Sequence, residues 1–260
     1  KHIIIIDFGS QYTQLIARRV RELSVYSEIL PCHHKLTAAD ISKAHGLILS
    51  GGPASVLENG APTMDLRALP SHLPVLGICY GAQLMVHNWG GRVEFSLKRE
   101  FGQAKIKMVD SDNALFAQMG PFSDVWMSHG DAITQLPSGF TPLASTENCP
   151  IAAFKHDKNP WFGVQFHPEV VHTASGKKIL ANFVTGICGA QQNWTMQAFA
   201  KTSVEEIRAV VGKKRIICGL SGGVDSAVAA ALIHEAVGDQ LTCIFVDNGL
   251  LRLQEVEEVT

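Results

Sequence analysis

Position 79 is a cysteine held between two glycines, in the run PVLGICYGAQ at Pro74–Gln83. An apolar strand leads directly into Gly77-Ile78-Cys79-Tyr80-Gly81, and a helix follows that ends near Gly90-Gly91. This is a G-x-nucleophile-x-G elbow with Cys in place of Ser. A nucleophile on such a turn projects into solvent, and its flanking glycines remove Cβ clashes on the crowded sides. The helix N-terminus favours a thiolate and offers N–H groups to a developing oxyanion. A free cysteine is more often a small core residue, but here the two glycines and the strand-to-helix context favour a nucleophile. Cys32, Cys149, Cys188, Cys218 and Cys243 lack that setting and read as core or surface thiols.

A cysteine nucleophile needs a base, and the base needs a group to orient it. Gln165-Phe166-His167-Pro168-Glu169 follows a predicted strand. In extended chain, residues i and i+2 face the same side, so Glu169 can accompany His167. Pro168 blocks a helix there. His33 and His34 beside Cys32 have no further ligands at metal spacing. His129, in Ser128-His129-Gly130-Asp131, invites a serine-hydrolase reading that fails because Ser128 lacks an elbow. Ser50-Gly51-Gly52-Pro53 also ends a strand, where adjacent glycines could expose an N–H to an oxyanion. An ordinary Gly-Pro turn accounts for that run equally well.

A second chemical feature is Gly219-Leu220-Ser221-Gly222-Gly223-Val224-Asp225-Ser226, between an apolar strand and an Ala-rich helix. Exposed N–H groups, a helix N-terminus and two hydroxyls suit a phosphate group. No Gly-Lys-[Ser/Thr] follows, so this is not a Walker A loop, nor is it G-x-G-x-x-G. Asp225 is out of place against a bare anion but sensible if Mg²⁺ accompanies the phosphates. A plain glycine turn with Ser and Asp caps is the structural alternative.

The elements that must position these groups read as α/β. Ile3–Asp7, Leu47–Ser50, Val75–Cys79 and Ile216–Leu220 are nearly all apolar, as expected of parallel strands covered on both faces. Gln14–Leu23 is a predicted helix with Leu15, Ile16, Arg18, Arg19 and Leu23 on its amphipathic face. From about Glu94 to Gln165, alternating stretches at Ala104–Val109, Asp124–Ser128, Ile151–Lys155 and Phe162–Phe166 predict an antiparallel section. A helix is expected over Ser175–Ile187. The fold class is therefore a doubly wound, mostly parallel α/β sheet with an antiparallel section, followed by a second α/β domain that is incomplete. Domain boundaries are expected at 1–188, a linker at 189–202, and a second domain from 203 to 260. Ser203 and Glu206 form an S-x-x-E capping box that would open its first helix. A helix over Asp225–Val237 and a strand over Leu241–Asp247 follow, too little to bury a core alone.

Hydrophobic residues make up 46% of the 260, charged residues 18%, and glycine occurs 23 times, which excludes disorder and fibres. A net charge of −2 gives no electrostatic case for nucleic acid or a membrane surface. No apolar run approaches the ~18 residues of a membrane span. Six scattered cysteines without a secretory signal imply a reducing, cytoplasmic setting. The chain opens on Lys1, so residues before it are expected to be missing.

Taken together, GICYGAQ at 77–83 and HPE at 167–169 resemble the triad-type glutamine amidotransferases, and SGGVDS at 221–226 looks like the pyrophosphate loop of ATP pyrophosphatases. The two in this order resemble the glutamine-hydrolysing GMP synthases. DFGSQYTQLIARRVRE at 7–22, REFG at 99–102, WMSHGD at 126–131, GVQFHPEV at 163–170 and FVDNGLLR at 245–252 point the same way. The resemblance implies that Cys79 attacks the glutamine carboxamide while Gly52 and Tyr80 N–H groups hold the oxyanion. His167, oriented by Glu169, protonates departing ammonia and later activates water. Gln83 and the turn Ser128, His129, Gly130 and Asp131 would hold glutamine. Ser221, Gly222, Gly223, Val224, Asp225, Ser226 and Ala227 would bind ATP, with Asp225 on Mg²⁺ and no organic cofactor. Ammonia would pass to adenylated xanthosine monophosphate (XMP), giving GMP, AMP and pyrophosphate. The family's remaining pyrophosphatase domain and its homodimer region lie beyond residue 260. This piece alone is thus expected to hydrolyse glutamine slowly and make no GMP.

Three alternatives stay open on the residues: an ammonia-using ligase with another acceptor, a glutamine or ATP sensor without turnover, and a plain γ-glutamyl hydrolase. Intact Cys79, His167 and Glu169 weigh against the sensor. The Ser221–Ser226 loop is unexplained by the hydrolase.

Overall fold

The structure, a computed structural model, describes residues 1–109 and 113–246, with the backbone alone at 96–99. The chain divides into two compact units, Lys1–Asn193 and Trp194–Thr260.

The first unit is built on a nine-stranded sheet. Its strands are β1 (His2–Asp7), β2 (Ser27–Pro31), β3 (Ala44–Leu49), β4 (Val75–Ile78), β5 (Arg92–Met108), β6 (Phe122–Gln135), β7 (Phe140–Ser145), β8 (Ala153–His156) and β9 (Trp161–Val164). They lie in the order β2-β1-β3-β4-β9-β8-β7-β5-β6. The half from β2 to β9 is parallel; β8, β7, β5 and β6 pair antiparallel. Phe162–Phe166 was expected inside the antiparallel section. Its strand β9 instead joins both halves, parallel to β4 and antiparallel to β8.

The continuous apolar strands are explained by the pleat. Ile3 and Ile5 enter one hydrophobic cluster, Ile4 and Ile6 the other, and all four are at most 1% exposed. Helices α1 (Thr13–Glu22), α2 (Ala38–Lys43), α3 (Tyr80–Asn88) and α4 (Gly176–Ala181) accompany the sheet, α4 running on into a π-helical turn over Asn182–Ile187. On α1 the buried stripe is Thr13, Ile16, Ala17 and Val20, with Arg18 exposed. Of the expected face, Ile16 is buried and half-buried Leu23 packs against the core, whereas Arg18 faces solvent; the small or polar Thr13 and Ala17 complete the buried stripe instead. On α4 and its extension Ile179, Leu180, Phe183 and Val184 are buried as their spacing predicts.

The second unit holds α5 (Met196–Val211), β10 (Ile216–Leu220), α6 (Val224–Val237) and β11 (Leu241–Phe245), with β10 parallel to β11. Two expectations are corrected here. The helix begins at Met196, inside the stretch expected to be a linker, and its N-cap is Thr195, whose hydroxyl accepts from the Ala198 N–H at 3.1 Å. Ser203 therefore lies within α5 and caps nothing. Thr195 can take the cap because its backbone is extended (φ −134°, ψ 155°) and its hydroxyl reaches the Ala198 N–H, whereas Ser203 is already inside the helix. Strand β10 was expected to be covered on both faces, yet Ile217 is 72% exposed. Positions 247–252 of the FVDNGLLR run, and the expected strand end at Asp247, lie outside the described residues.

Candidate active site

Strands β1, β3, β4 and β9 are parallel neighbours, so their carboxyl ends open along one edge, where ligands bind in such sheets. Ser50-Gly51-Gly52 leaves β3, Cys79 leaves β4, and Gln165 to Glu169 leaves β9.

Cys79 is the elbow itself, at φ 50° and ψ −105°. The left-handed backbone of a non-glycine residue costs about 1–3 kcal/mol and persists only where the surroundings impose it. Those surroundings are tight. A Cβ on Gly77 would meet the Ala82 nitrogen at 2.7 Å, and one on Gly81 the Leu49 oxygen at 2.5 Å. Contrary to expectation the thiol does not project into solvent; Cys79 is 5% exposed and lies where two cavities meet. One, of about 430 Å³, is lined by Gly52, Tyr80, Gln83 and Ser128 to Asp131. The other, of about 220 Å³, is lined by Gly9, Ser10, Tyr12 and His167. The first is of a size that holds small molecules.

His167 and Glu169 arrive together from β9. Nδ1 of His167 lies 2.7 Å from Oε1 of Glu169, and both side chains are buried. Burial by itself pulls the imidazole toward neutrality. Hydrogen bonds to Cys79 and Glu169, with the carboxylate beside the ring, outweigh it and push His167 up to about 10. The proton therefore resides on the ring at neutral pH. By contrast, burial, reinforced by Glu100, pushes the Cys149 thiol up to about 12, leaving it protonated and inert.

The backbone around this pair is pinned from several elements. The His167 N–H donates to Trp126 O at 3.0 Å, and Thr173 Oγ1 donates to His167 O at 2.6 Å while accepting from the Trp126 N–H at 3.0 Å. Arg19 Nε donates to Glu169 O at 2.9 Å, and the Tyr12 ring packs edge-on to the imidazole at 5.3 Å. Thr173, Arg19 and Tyr12 were not expected at the site, because no local motif reports a partner from a different element.

Gly51 and Gly52 border the same space. A Cβ on Gly51 would lie 3.2 Å from the His167 ring, and one on Gly52 would be 2.7 Å from Phe8 O. Ser50 Oγ ties this turn down, accepting from Phe8 N at 3.0 Å and donating to Gly51 O at 2.8 Å. Tyr80 points its phenol away, donating to Pro62 O, so what it can offer the site is its backbone N–H.

Ser128 to Asp131 are not a turn as expected but lie within β6. Opposite them β5 slips register between Phe95 and Glu100, which pair with Asp131 and His129 respectively. A bulge on the partner strand thus achieves what a turn would, presenting backbone to the cavity. His129 is buried, its Nε2 3.5 Å from Glu100 Oε2, and burial, only partly offset by Glu100, lowers its affinity for a proton. Cys149 Sγ completes a group of three atoms within 4.8 Å of one another. No spacing rule foretells it, because the three residues come from distant stretches of chain. Gln83 Nε2 donates to Asp131 O at 3.0 Å, so its amide is engaged behind the cavity wall.

His33 and His34 are remote from this chemistry. With Cys32 they line a separate cavity of about 720 Å³, and His34 pairs with Asp40 at 3.2 Å.

In the second unit the loop 221–226 is closed by its own hydroxyls. Ser226 Oγ accepts from Ser221 N at 3.2 Å and donates to Gly223 O at 2.9 Å; Ser221 Oγ accepts from Gly223 N at 3.3 Å. Gly222, at φ +79°, makes the bend, and Asp225 stands exposed in the first turn of α6 beside Val224 and Ala227.

Comparison with known proteins agrees with this division. Residues 4–187 match the family model for glutamine amidotransferase class-I, and residues 195–248 match that for NAD synthase. Curated glutamine-hydrolysing GMP synthases of Cytophaga hutchinsonii and Rhodopseudomonas palustris (strain CGA009) are 54% and 55% identical over 99% of this chain. The chain spans about half their length, 50% and 48%. A solved structure of a GMP synthase component from Thermoplasma acidophilum is 34% identical, with a TM-score of 0.62, covering 72% of this chain and 94% of that one. Another, of a glutamine amido transferase from Methylobacillus flagellatus, shares the fold at 23% identity and a TM-score of 0.54, covering 73% and 75%. With a strained cysteine elbow beside a buried His–Glu pair, and a matching model over most of its length, the chain belongs to the class-I glutamine amidotransferase family.

Proposed function

We propose that the first unit hydrolyses glutamine through Cys79, and that the whole protein passes the ammonia to XMP adenylated by ATP, forming GMP. The observation that carries the proposal is the buried line Cys79–His167–Glu169 at the mouth of a small-molecule cavity.

Glutamine enters the 430 Å³ cavity, held by the Ser128–Asp131 backbone and by Gln83, which, with its NH₂ committed to Asp131 and Gln165, can meet the ligand only as an acceptor through its oxygen. The thiolate of Cys79 attacks the carboxamide carbon, and the N–H groups of Gly52 and Tyr80 receive the oxyanion. One such donor is worth about 3–4 kcal/mol of transition-state stabilisation. His167, protonated beforehand, gives its proton to the departing nitrogen, so ammonia leaves and a thioester remains. The now neutral ring takes a proton from water; the hydroxide opens the thioester, releasing glutamate and the sulfur. Glu169 keeps the ring's tautomer and orientation throughout.

In the second unit the loop Ser221–Ala227 takes the phosphates of ATP at the N-terminus of α6, whose first-turn N–H groups have no partner within the helix. Mg²⁺ fits the donor set there, since Asp225 and the Ser221 and Ser226 hydroxyls supply hard oxygens. The ion would neutralise phosphate charge when bound. Further chain would complete this domain and cover Ile217, Val228 and Ile244, which stand 72%, 53% and 47% exposed. Homodimerisation through that further region, and a cytoplasmic setting, belong to the same proposal. Among the described residues no helix is long and apolar enough to cross a membrane.

The test measures ammonia from glutamine, and GMP from XMP and ATP, with the whole protein and its Cys79→Ala variant. Loss of ammonia, with GMP still formed from added ammonium, is the expected result. Ammonia release that survives Cys79→Ala sinks the nucleophile, and absence of GMP from a glutaminase-active protein sinks the acceptor.

A further inference from the structure

Gln165 is 1% exposed and stands on β9's continuation, two residues before His167. Its backbone N–H is held by Ala152 O at 2.8 Å, while its side-chain amide turns to the catalytic sulfur, Nε2 lying 3.7 Å from Cys79 Sγ. That orientation is dictated from behind. Gln83 Nε2 gives one hydrogen to Asp131 O at 3.0 Å and the other to Gln165 Oε1 at 3.2 Å. An amide that has spent both hydrogens can face Gln165 only as a donor, so Gln165 must turn its oxygen to Gln83 and its NH₂ to the sulfur. The chain Asp131–Gln83–Gln165–Cys79 therefore runs from the proposed glutamine cradle to the nucleophile without leaving the buried interior.

We infer that Gln165 is a further catalytic residue, its amide N–H stabilising the Cys79 thiolate, and that Gln83 acts as a positioning residue for it. A thiolate accepts such a bond far better than a thiol does, because the acceptor carries full charge in a water-poor site. The thiol can give its own hydrogen to Ser128 O at 3.6 Å; once that hydrogen is gone, Gln165 on one side and His167 on the side of the second cavity are two separate donors to the sulfur. One is the proton carrier; the other never titrates and stays in place after the proton has moved to the leaving nitrogen.

The inference rests on Cys79 being the nucleophile, and it is tested without turnover. The rate of Cys79 alkylation by iodoacetamide is followed against pH in the whole protein by mass spectrometry of the peptide carrying Cys79. Gln165→Met, similar in volume but without a donor, should raise the midpoint by about one unit, a roughly tenfold slower alkylation below both midpoints. Gln83→Met, which leaves Gln165 in place but frees its amide to turn, should shift it the same way by less. An unchanged midpoint in Gln165→Met, with an unchanged circular dichroism spectrum, overturns the role of Gln165. A shift there with none in Gln83→Met overturns the positioning role of Gln83. Should Gln165→Met fail to fold, Gln83→Met decides alone, an unchanged midpoint counting against both. Ammonia release surviving Cys79→Ala would instead strike the proposed function, while the midpoint shift would stand.

Discussion

Replacing Glu169 by Gln separates the charge of the His–Glu pair from its shape. In the native protein the carboxylate oxygen lies 2.7 Å from His167 Nδ1, and Glu169 is 0% exposed. Removing one partner of a buried ion pair costs about 3–5 kcal/mol. Gln keeps an amide oxygen for the ring N–H, so about 3 kcal/mol is expected, or about two pH units at 1.36 kcal/mol each. The imidazolium midpoint should fall from about 10 to about 8. Since thioester formation needs the ring protonated, the alkaline limb of glutaminase activity should move down with it. The variant's deficit relative to wild type should thus grow about tenfold between roughly pH 7 and roughly pH 9. Stability has a definite sign as well. A raised histidine stabilises the fold fully below its unfolded value near 6.5 and loses that contribution as pH rises through about 10. The gap in Tm between wild type and Glu169→Gln should accordingly be widest near pH 6 and shrink toward pH 10. The assays are ammonia release across pH and thermal unfolding in matched buffers. An alkaline limb that stays in place, or a Tm gap that widens with pH, refutes the electrostatic account.

Gly81→Ala places a methyl 2.5 Å from the Leu49 carbonyl, with backbone on both sides of the contact, and should cost more than about 3 kcal/mol of stability by urea unfolding. Gly90→Ala, at φ +82° in open space, should lose only about 1 kcal/mol in the same measurement. With the nucleophilic sulfur removed, both Cys79→Ala and Cys79→Gly should be inactive. The glycine variant should nevertheless unfold at the higher temperature of the two, by relief of about 1 kcal/mol of backbone strain. Thr173→Val leaves the Trp126 N–H and one lone pair of His167 O without their partner and should destabilise by about 1–3 kcal/mol in urea. A Thr173→Val protein as stable as wild type would show that this bridge is replaceable.

The parts of the site readable from the chain are those in which local geometry and chemistry coincide. Gly77-Ile78-Cys79-Tyr80-Gly81 needs its glycines because Leu49 and Ala82 backbone atoms lie within 2.5–2.7 Å of where Cβ atoms would be, and any sequence with that elbow carries the same demand. His167 and Glu169 were paired by the two-residue period of extended chain. The same period, counted one step backward, reaches Gln165. Where several residues compete locally, sequence misled: the Ser203-x-x-Glu206 pattern is a sound capping box, but Thr195 begins the helix.

From the chain alone follow the alternation of apolar strands and helices, the cysteine elbow, and the i, i+2 delivery of an imidazole with its carboxylate, since each depends on neighbours a few bonds away. Only the tertiary structure decides that β9 crosses to lie beside β4, which brings His167 to Cys79 from 88 positions further along. It alone shows that a register slip in β5, not a turn, shapes the Ser128–Asp131 wall, and that Arg19, Thr173 and Gln83 hold the reacting groups from behind. Strand order and long-range hydrogen bonds are settled by burying every apolar face at once, a condition on the whole chain that no local stretch contains.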